Sequence, residues 1–458
     1  MGIRFLTKEE VQNVAKGAIG KTFREIADKS FNYNNKGTLG QLLERSVFNF
    51  ANNSKSEPDF VDAGIELKLT PYKKNANGCL SAKERLVLNI IDYMKEYKNC
   101  FENSHFLFKN RNIELLWYLY ESSKNKLDYR ITHELYMSLS DKEFKDDYNI
   151  IKSDWEFIIN KIKKGKAHEL SESDTMYLGA CPKGKDRKTI RKQPFSNINA
   201  MQRAFCYKVS YMTILVRKYI ANEKIEKVIK KPLVNKSFEN YIISKIKKYY
   251  RKTDDILSKI LDVDTNAKNK FRILVAKMLK VNGDIEKTEE FLKANIKVKT
   301  IRINKNGMIR ESMSFPAFKF NDIVNQEWEE SDLYLTFENT KFMFIVFREN
   351  NKNEYIFERV KFWNMPEEIL QNEIKKVWIK TKSIIKNGNI EKKLKNEKRQ
   401  NNFPKSIENK YCHVRPHGKN SKDTYPLPVK DKVTGAKVYT KQCFWLNNNY
   451  IRSIINEE

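Results

Sequence analysis

The chain has 458 residues, with 87 lysines and arginines against 58 aspartates and glutamates, which gives a formal net charge of +29. This length exceeds one ordinary hydrophobic core, so two domains are predicted. No apolar run approaches the length of a membrane span, which argues against a membrane partner. The positive charge favours a polyanionic partner, and nucleic acid is the commonest one. Six cysteines without a framework spacing favour a reducing cytoplasm.

The predicted elements of the first half give a mixed sheet flanked by helices, an α/β fold. "TKEEVQNVAKGAIG" predicts a helix that Thr7 caps, and "TLGQLLERSVFNF" predicts a second helix. "AGIELKLTP" predicts a strand that Pro71 ends, and "SHFLF" and "IELLWYLYE" predict the next two strands. "DDYNIIKSDWEFIINKIKKG" then predicts a long helix, "TMYLGACP" a further strand, and "AFCYKVSYMTILV" a late apolar segment.

Four segments of the first half return in the same order in the second half, at a nearly constant offset. "FENSHFLF" returns as "FENTKFMF", "FVDAGIELKLT" as "FLKANIKVKTI", "DWEFIINKIKKG" as "VWIKTKSIIKNG", and "YLGACPKGK" as "YCHVRPHGK". This repetition predicts two tandem copies of one fold. The lysine-rich stretch "NEKIEKVIKKPLVNKS" contains a proline that would end a helix, so the predicted domains are residues 1–225 and 226–458.

The strand "GIELKL" carries two charged side chains on the same face, because alternate residues of a strand point the same way. These are Glu66 and Lys68, and Asp59 lies a few residues earlier, after a proline. Two converging carboxylates suit Mg²⁺, and an ammonium group beside them could orient an attacking water. The alternative is an ordinary surface strand, since Glu-x-Lys also occurs elsewhere in the chain.

The second copy retains the apolar frame of this strand but changes most of its polar residues. The aligned pairs are Asp59 and Glu290, Glu66 and Lys297, Lys68 and Lys299, Glu44 and Val275, and Lys109 and Ile345. A lysine in place of a carboxylate cannot hold a metal ion well. We therefore predict chemistry in the first copy and a fold with a basic surface in the second, with ordinary surface drift as the alternative.

Glu44 in "GQLLE", the "PDF" and "AGIELKLTP" segments, and "YLGACPKG" together resemble the MutH-like DNA endonucleases, whose site is a version of the PD-(D/E)xK motif. The two-copy arrangement is most similar to the GATC-cutting type II restriction enzymes of the Sau-three-A type. The resemblance extends over essentially the whole chain. It implies a PD-(D/E)xK, restriction-endonuclease-like fold of the MutH type in each copy. The activity it implies is Mg²⁺-dependent double-strand cleavage at a short specific site, with GATC as the expected sequence.

The resemblance also implies roles for individual residues. Asp59 and Glu66 would bind Mg²⁺, with the Leu67 carbonyl as a further ligand, Lys68 would hold the water, and Glu44 would assist from its helix. Lys109 would be the additional catalytic lysine, with His105 and Arg111 as alternatives. The candidates for contact with DNA are Lys183, Tyr207, Lys208, Arg415 and His417. Cys412, His413 and His417 do not have a zinc-finger spacing.

The overall prediction is a bacterial, cytoplasmic restriction endonuclease that is monomeric in solution and dimerises on double-stranded DNA. Its C-terminal copy would act as an allosteric DNA-binding domain or as a passive clamp. A mismatch-repair GATC nickase and a non-catalytic DNA-binding protein are the alternatives. The recognition sequence itself cannot be deduced from the residues, because base-reading side chains lie on loops.

Overall fold

The computed structural model describes residues 5–27, 38–49, 56–184, 189–230, 233, 237–267, 269–309, 313–392 and 400–457. The chain divides into two compact units. The first comprises Met1–Tyr241 and Asp284–Asn295, and the second comprises Ile242–Gly283 and Ile296–Glu458. No helix in the described ranges is both long enough and apolar enough to cross a membrane.

The first unit alternates helices and strands. Its helices are α1 (Lys8–Ala18), α2 (Phe23–Ile26), α3 (Thr38–Ser46), α4 (His105–Asn110), α5 (Lys145–Lys163) and α6 (Val209–Leu215), with α10 (Glu289–Lys293) in the later segment. Its strands are β1 (Glu66–Lys74), β2 (Leu80–Ala82), β3 (Leu86–Ile90), β4 (Asn112–Leu119), β5 (Ile131–Ser138), β6 (Leu178–Pro182), β7 (Ile190–Arg191), β8 (Ala200–Met201) and β9 (Arg203–Tyr207). Helix α7 (Phe238–Ile246) contains the division between the units.

The main sheet of the first unit has the order β2-β1-β4-β5. Strands β1 and β4 are parallel, with Glu66 opposite Ile113, and β2 and β5 add antiparallel edges. A second sheet has the order β3-β9-β6, and β7 and β8 form a two-stranded ribbon. One hydrophobic cluster joins α1 and α3 to β1 through Val11, Leu42, Leu43 and Leu67. This packing fixes the start of β1 beneath two helices.

The second unit also contains both helices and strands. Its helices are α8 (Asp254–Leu261), α9 (Lys270–Met278), α11 (Phe320–Asn325), α12 (Asp332–Asn339), α13 (Glu367–Ile369), α14 (Lys375–Lys386) and α15 (Asn448–Asn456). Its strands are β10 (Ile296–Ile303), β11 (Met313–Ser314), β12 (Lys341–Glu349), β13 (Tyr355–Trp363), β14 (Cys412–Pro416), β15 (Thr424–Pro426), β16 (Val438–Thr440) and β17 (Gln442–Leu446).

The sheets of the second unit have the orders β10-β12-β13 and β11-β17-β14, with β15 and β16 as a separate ribbon. Strands β10 and β12 are parallel, with Lys297 opposite Phe342, and β13 is antiparallel to β12. A left-handed residue precedes the first strand of the parallel pair in each unit, Gly64 before β1 and Asn295 before β10. The mixed α/β content that the sequence predicted is therefore present in both units.

Several predicted elements need correction. "SHFLF" is not a strand but the start of α4, because the Ser104 hydroxyl accepts from the Leu107 amide as an N-cap. Pro71 does not end β1, which continues to Lys74. Proline is tolerated there because β2 pairs with β1 only from Tyr72 onward. The edge and short strands β2, β3 and β5 were not predicted.

The strand registers also correct one pair of the sequence alignment. With Glu66 aligned to Lys297 as in the sequence, the strand pairs align Ile113 with Phe342. Lys109, four residues before Ile113, is then equivalent to Glu338 and not to Ile345, which lies within β12. The "FEN" of residues 101–103 is a 3-10 turn before α4, whereas the "FEN" of residues 337–339 ends α12. These two segments therefore have a similar sequence but different places in the fold.

Candidate active site

A tight turn places Asp59 beside the first residues of β1. The amide of Phe60 donates to the Ile65 carbonyl at 2.9 Å, and the Ile65 amide donates back to the Phe60 carbonyl at 3.2 Å. Gly64, at φ +64°, provides the left-handed conformation that closes the turn. Asn112 holds the Gly64 carbonyl through its side-chain amide at 3.1 Å. The chain therefore folds back over the short interval between Asp59 and Glu66.

Asp59 and Glu66 are joined to each other through the backbone. The Leu67 amide donates to Asp59 Oδ2 at 3.0 Å, and the Asp59 amide donates to Glu66 Oε2 at 3.3 Å. The Glu66 side chain is 2% exposed. The structure thus holds the two carboxylates on one side of the start of β1, whereas Leu67 packs into the core on the other face.

Two lysines meet the Glu66 carboxylate. Lys68 Nζ lies 2.6 Å from Glu66 Oε1, and Lys109 Nζ lies 3.5 Å from Glu66 Oε2. Lys68 comes from the same face of β1 and Lys109 from α4. Their side chains are only 19% and 15% exposed, so both ammonium groups are largely withdrawn from solvent.

Burial and mutual repulsion raise the pKa values of two acids in this cluster. Burial, and next the charge of Asp59, raise the pKa of Glu44 to about 7. Burial, and next the charge of Glu66, raise the pKa of Asp59 to about 6, although Lys68 and Lys109 lower it in part. Since Glu44 on α3 responds to Asp59, Glu66 and Lys68, it lies in the same electrostatic neighbourhood. The five residues predicted to be catalytic are therefore close together.

Helix α4 also anchors the segment that leads to Asp59. His105 Nε2 lies 2.6 Å from the Ser56 carbonyl, and Lys109 Nζ donates to the Glu57 carbonyl at 3.0 Å. Because a carbonyl only accepts, Nε2 carries the proton, and His105 Nδ1 can then accept from the Asn89 amide at 3.2 Å. Arg111, the third alternative for the additional lysine, is exposed and follows α4. Of the three, Lys109 thus forms an ion pair with Glu66.

These anchoring contacts were not predictable from the sequence as a set. His105 and Lys109 donate hydrogen bonds to backbone carbonyls of a segment about fifty residues earlier. Every residue has a backbone carbonyl, so the sequence does not identify such acceptors. The resemblance named both residues as candidates for the additional catalytic residue, but it did not indicate these backbone contacts.

The donor set fits a hard divalent cation. Both Asp59 and Glu66 present oxygen atoms, and their repulsion in the free protein is the kind of charge accumulation that a cation relieves. In the described part of the chain, no three His, Cys, Asp or Glu side chains form a ready-made metal cluster. Mg²⁺ does not require one, because it commonly binds one or two carboxylates and completes its shell with water and substrate phosphate oxygens.

Comparison with known proteins points in one direction. A family model described as "DNA mismatch repair enzyme MutH" matches residues 48–154, the part that contains Asp59, Glu66, Lys68 and Lys109. The type II restriction enzyme Sau3AI of Staphylococcus aureus is 37% identical over 488 aligned positions, which cover 99% of both chains.

The chain belongs to the family of the Sau3AI-type restriction enzymes. It is a type II restriction endonuclease, a site-specific deoxyribonuclease with a MutH-like nuclease domain. The DNA mismatch repair protein MutH of Haemophilus influenzae (strain PittEE) is 29% identical over 192 positions, covering 41% of this chain and 82% of that protein. MutH of Vibrio campbellii is 25% identical over 231 positions, covering 48% of this chain and 97% of that protein. The family predicted from the sequence is thus confirmed.

Three of the five predicted DNA contacts of this restriction enzyme lie on its surface. Lys183 is exposed directly after β6. In the second unit, Arg415 and His417 are exposed, and both lie against Trp445, the guanidinium carbon at 5.1 Å and the imidazole at 5.8 Å from the indole ring. A cation and rings in one exposed patch suit contact with phosphates and bases. Their role in binding stays a prediction.

Tyr207 and Lys208 require a correction. Tyr207 is fully buried, and Lys208 is 2% exposed, with its ammonium group bonded to the Thr175 carbonyl. Asp154 lies close enough for the Lys208 charge to lower its pKa, against burial, which raises it to about 6. Neither side chain can reach DNA in this conformation. All five residues of β9 are buried, so this strand has no face exposed to solvent. The apolar sequence of the segment did not indicate this.

Proposed function

We propose that this restriction endonuclease makes Mg²⁺-dependent double-strand cuts, with GATC as its recognition sequence, and that the site at the start of β1 carries out the chemistry. The observation that carries this proposal is the set of contacts around Glu66. Its carboxylate pairs with Lys68 and Lys109 and accepts from the Asp59 amide, and the Asp59 carboxylate accepts from the Leu67 amide. The GATC sequence rests on the resemblance to the Sau-three-A-type enzymes alone.

In the proposed reaction, Asp59 and Glu66 hold the metal ion, which when bound would polarise the scissile phosphate and offset its developing charge. Lys68, through its ammonium group, orients the attacking water and stabilises the negative charge that develops on it. Lys109 fixes the Glu66 carboxylate and the segment before Asp59 at once, through its contacts to Glu66 and to the Glu57 carbonyl. Glu44, whose pKa is raised to about 7, can accept or release a proton near neutral pH.

We further propose that the chain contains two tandem copies of the MutH-type fold, residues 1–225 and 226–458, and that only the first copy cuts. The parallel strand pair with an antiparallel neighbour and the three-stranded antiparallel sheet, present in each unit, support this. Lys297 and Val275 occupy the positions equivalent to Glu66 and Glu44, so the second copy lacks one of the two metal-binding carboxylates and the helix glutamate. The exposed Arg415 and His417, which lie against the half-buried Trp445, suit it to bind DNA as an allosteric effector.

One active site faces one strand, so double-strand cleavage favours a dimer that forms on DNA from a monomer in solution. A reducing compartment such as the bacterial cytoplasm suits the six cysteines, all of which are free thiols.

Plasmid cleavage with Mg²⁺ tests the proposal. We expect discrete linear fragments from supercoiled plasmids that contain GATC sites, whereas nicked circles alone would indicate a nickase and no product a binding protein. Plasmids of equal length with one or two sites then test the effector role. The two-site plasmid should be cut faster, and short GATC duplexes added in trans should accelerate the one-site reaction, because coupling between two DNA sites must be reciprocal in binding free energy. Equal rates throughout would reduce the second unit to a passive clamp.

A further inference from the structure

An exposed phenylalanine of the first unit stands in a strained turn outside the candidate active site. Phe195 lies between β7 and β8, has φ of +60°, and is 71% exposed. The other non-glycine residues with positive φ in the described part of the chain are asparagine, aspartate, lysine or arginine. A left-handed conformation is costly for an aromatic residue, and such strain persists only where the surroundings enforce it. Strained residues of this kind cluster at active sites and at ligand contacts.

Backbone contact with the end of α5 enforces this conformation. Gly165, at φ +69°, follows α5, and a Cβ atom added there would collide with the Phe195 carbonyl oxygen. Gln193, 5% exposed, accepts from the Ala167 amide at 2.7 Å and donates to the Ile198 carbonyl at 2.6 Å. The Gln193 side chain thus ties both ends of the turn to the segment after α5. These contacts fix the backbone of the turn and leave the Phe195 ring exposed.

The ring contacts one aromatic residue, and basic residues lie nearby in the sequence. Tyr97 meets it edge-on, with centroids 5.5 Å apart and an interplanar angle of 78°. The sequence neighbours of Gly165 and of Phe195 include exposed cationic residues: Lys163, Lys164, Lys166, Arg191 and Lys192. An exposed aromatic ring among basic side chains is the pattern by which proteins contact nucleic acid, with cations on the phosphates and the ring against bases or sugars.

The same scaffold supports this turn and the candidate active site. Tyr97 lies in a 3-10 turn whose Glu96 carboxylate accepts from the Phe106 amide of α4 at 3.2 Å and from the Trp155 indole of α5 at 3.2 Å. Helix α4 in turn carries His105 and Lys109 to the segment before Asp59. A contact made by Phe195 would therefore hold DNA at a fixed place relative to the cutting residues.

We propose that Phe195 is a positioning residue for the DNA substrate, a preformed wedge whose ring packs against a base or sugar of the bound duplex. The chemistry of the partner is double-stranded DNA, the substrate of the family, and the contact is apolar. The wedge therefore contributes affinity that is independent of counterion release, in contrast to the lysines around it.

The test uses the full chain and fluorescence anisotropy of a labelled duplex that contains one GATC site, in Ca²⁺ at several KCl concentrations. For Phe195→Ala we expect Kd to rise about 5- to 100-fold, the range typical of a lost stacking contact, with an unchanged slope of log Kd against log salt. Lys192→Ala should instead reduce that slope by about one. Phe157→Ala is the matched control, because it removes a 43% exposed ring that lies on helix α5 and not in a strained turn. This variant should bind DNA as the wild type does.

Phe195→Gly separates this role from a structural one. Glycine adopts positive φ freely, so this variant should melt at the same or a higher temperature than the wild type, yet it should bind DNA as weakly as Phe195→Ala. Phe195→Trp should retain tight binding. The proposal is overturned if Phe195→Ala and Phe195→Gly bind with wild-type Kd, or if their loss of binding is matched by a lower Tm in both.

Discussion

The Asp59→Asn variant should be inactive in cleavage and yet more stable than the wild type in the absence of metal. The Asp59 carboxylate is confined beside Glu66, and burial with this repulsion raises its pKa from 3.8 to about 6. Asparagine has nearly the same shape, and its side-chain oxygen can still accept from the Leu67 amide, a bond that is 3.0 Å long in the wild type. The substitution removes the repulsion while it retains the turn.

The pKa shift sets the size of the effect. A rise from 3.8 to about 6 corresponds to an upper limit of about 3 kcal/mol in the free energy of unfolding, at about 1.4 kcal/mol per pKa unit. Asp59 is partly exposed, so solvent screening reduces the repulsion. We therefore expect the free energy of unfolding of Asp59→Asn to exceed that of the wild type by about 1–2 kcal/mol at pH 8.

The sign of the pH dependence follows from the two proton affinities. In the unfolded chain Asp59 loses its proton near pH 3.8, whereas in the folded chain it keeps the proton until about pH 6. The folded state therefore binds more protons between these values, and the wild type loses stability as the pH rises through this window. Asp59→Asn lacks this loss, so its advantage should be small near pH 4 and complete above about pH 7.

Urea unfolding in EDTA at pH 5, 6.5 and 8 measures the effect. Asp128→Asn is the matched control, because that carboxylate is exposed and its hydrogen bond from Arg24 lowers its pKa, so its removal should not stabilise the protein. Addition of Mg²⁺ should then raise the Tm of the wild type and leave that of Asp59→Asn unchanged. A variant that is less stable than the wild type at pH 8, or a gain that does not vary with pH, would refute the electrostatic account of the site.

Three further predictions follow from the same contacts. Lys68→Ala should lower the Mg²⁺-dependent cleavage rate at least 100-fold, while Kd for a GATC duplex changes less than about tenfold. The control Lys74→Ala, at an exposed position of the same strand, should change neither the rate nor Kd. Near-normal cleavage by Lys68→Ala would contradict the site assignment. Gly165→Ala should displace the Phe195 turn and raise Kd for DNA, which anisotropy would detect; an unaltered Kd would show that the turn adjusts at no cost. The Kd of the wild type should increase steeply with KCl because bound phosphates release counterions, and a nearly flat plot would contradict a role for the +29 net charge.

The sequence predicted the long periodic elements of the fold well, and the short ones poorly. The capping box of Thr7 and Glu10 and the long apolar stripe of α5 both carry enough residues to identify a helix. "SHFLF" has too few residues to distinguish a helix from a strand by its period, and its N-cap serine was the informative residue. Strand β5 alternates few apolar residues with polar ones such as His133 and Glu134, so it did not stand out.

The candidate site was predictable as far as its motif extends. Asp59, Glu66 and Lys68 lie on one turn and one strand, and local spacing therefore brings them together. Lys109 reaches Glu66 only because the parallel pairing of β1 with β4 places α4 beside the start of β1, and that pairing is a property of the folded chain. The burial of Tyr207 against Tyr211, and of Lys208 at the Thr175 carbonyl, is likewise a property of the folded chain.

In the proposed second copy, the aligned positions indicate why a single substitution would not create a second metal site. Lys297 replaces Glu66, and Glu338, 3% exposed, replaces Lys109, so both charges at these positions are reversed. Glu290, in the position of Asp59, is occupied otherwise: its carboxylate accepts from the Val228 and Ile229 amides at 2.8 and 3.0 Å. Each Glu290 oxygen is thus directed at a buried backbone amide, which would otherwise be left unpaired at a cost of about 1–3 kcal/mol. The acid retained at this position thus has a structural use, which supports a second copy whose remaining function is to bind DNA.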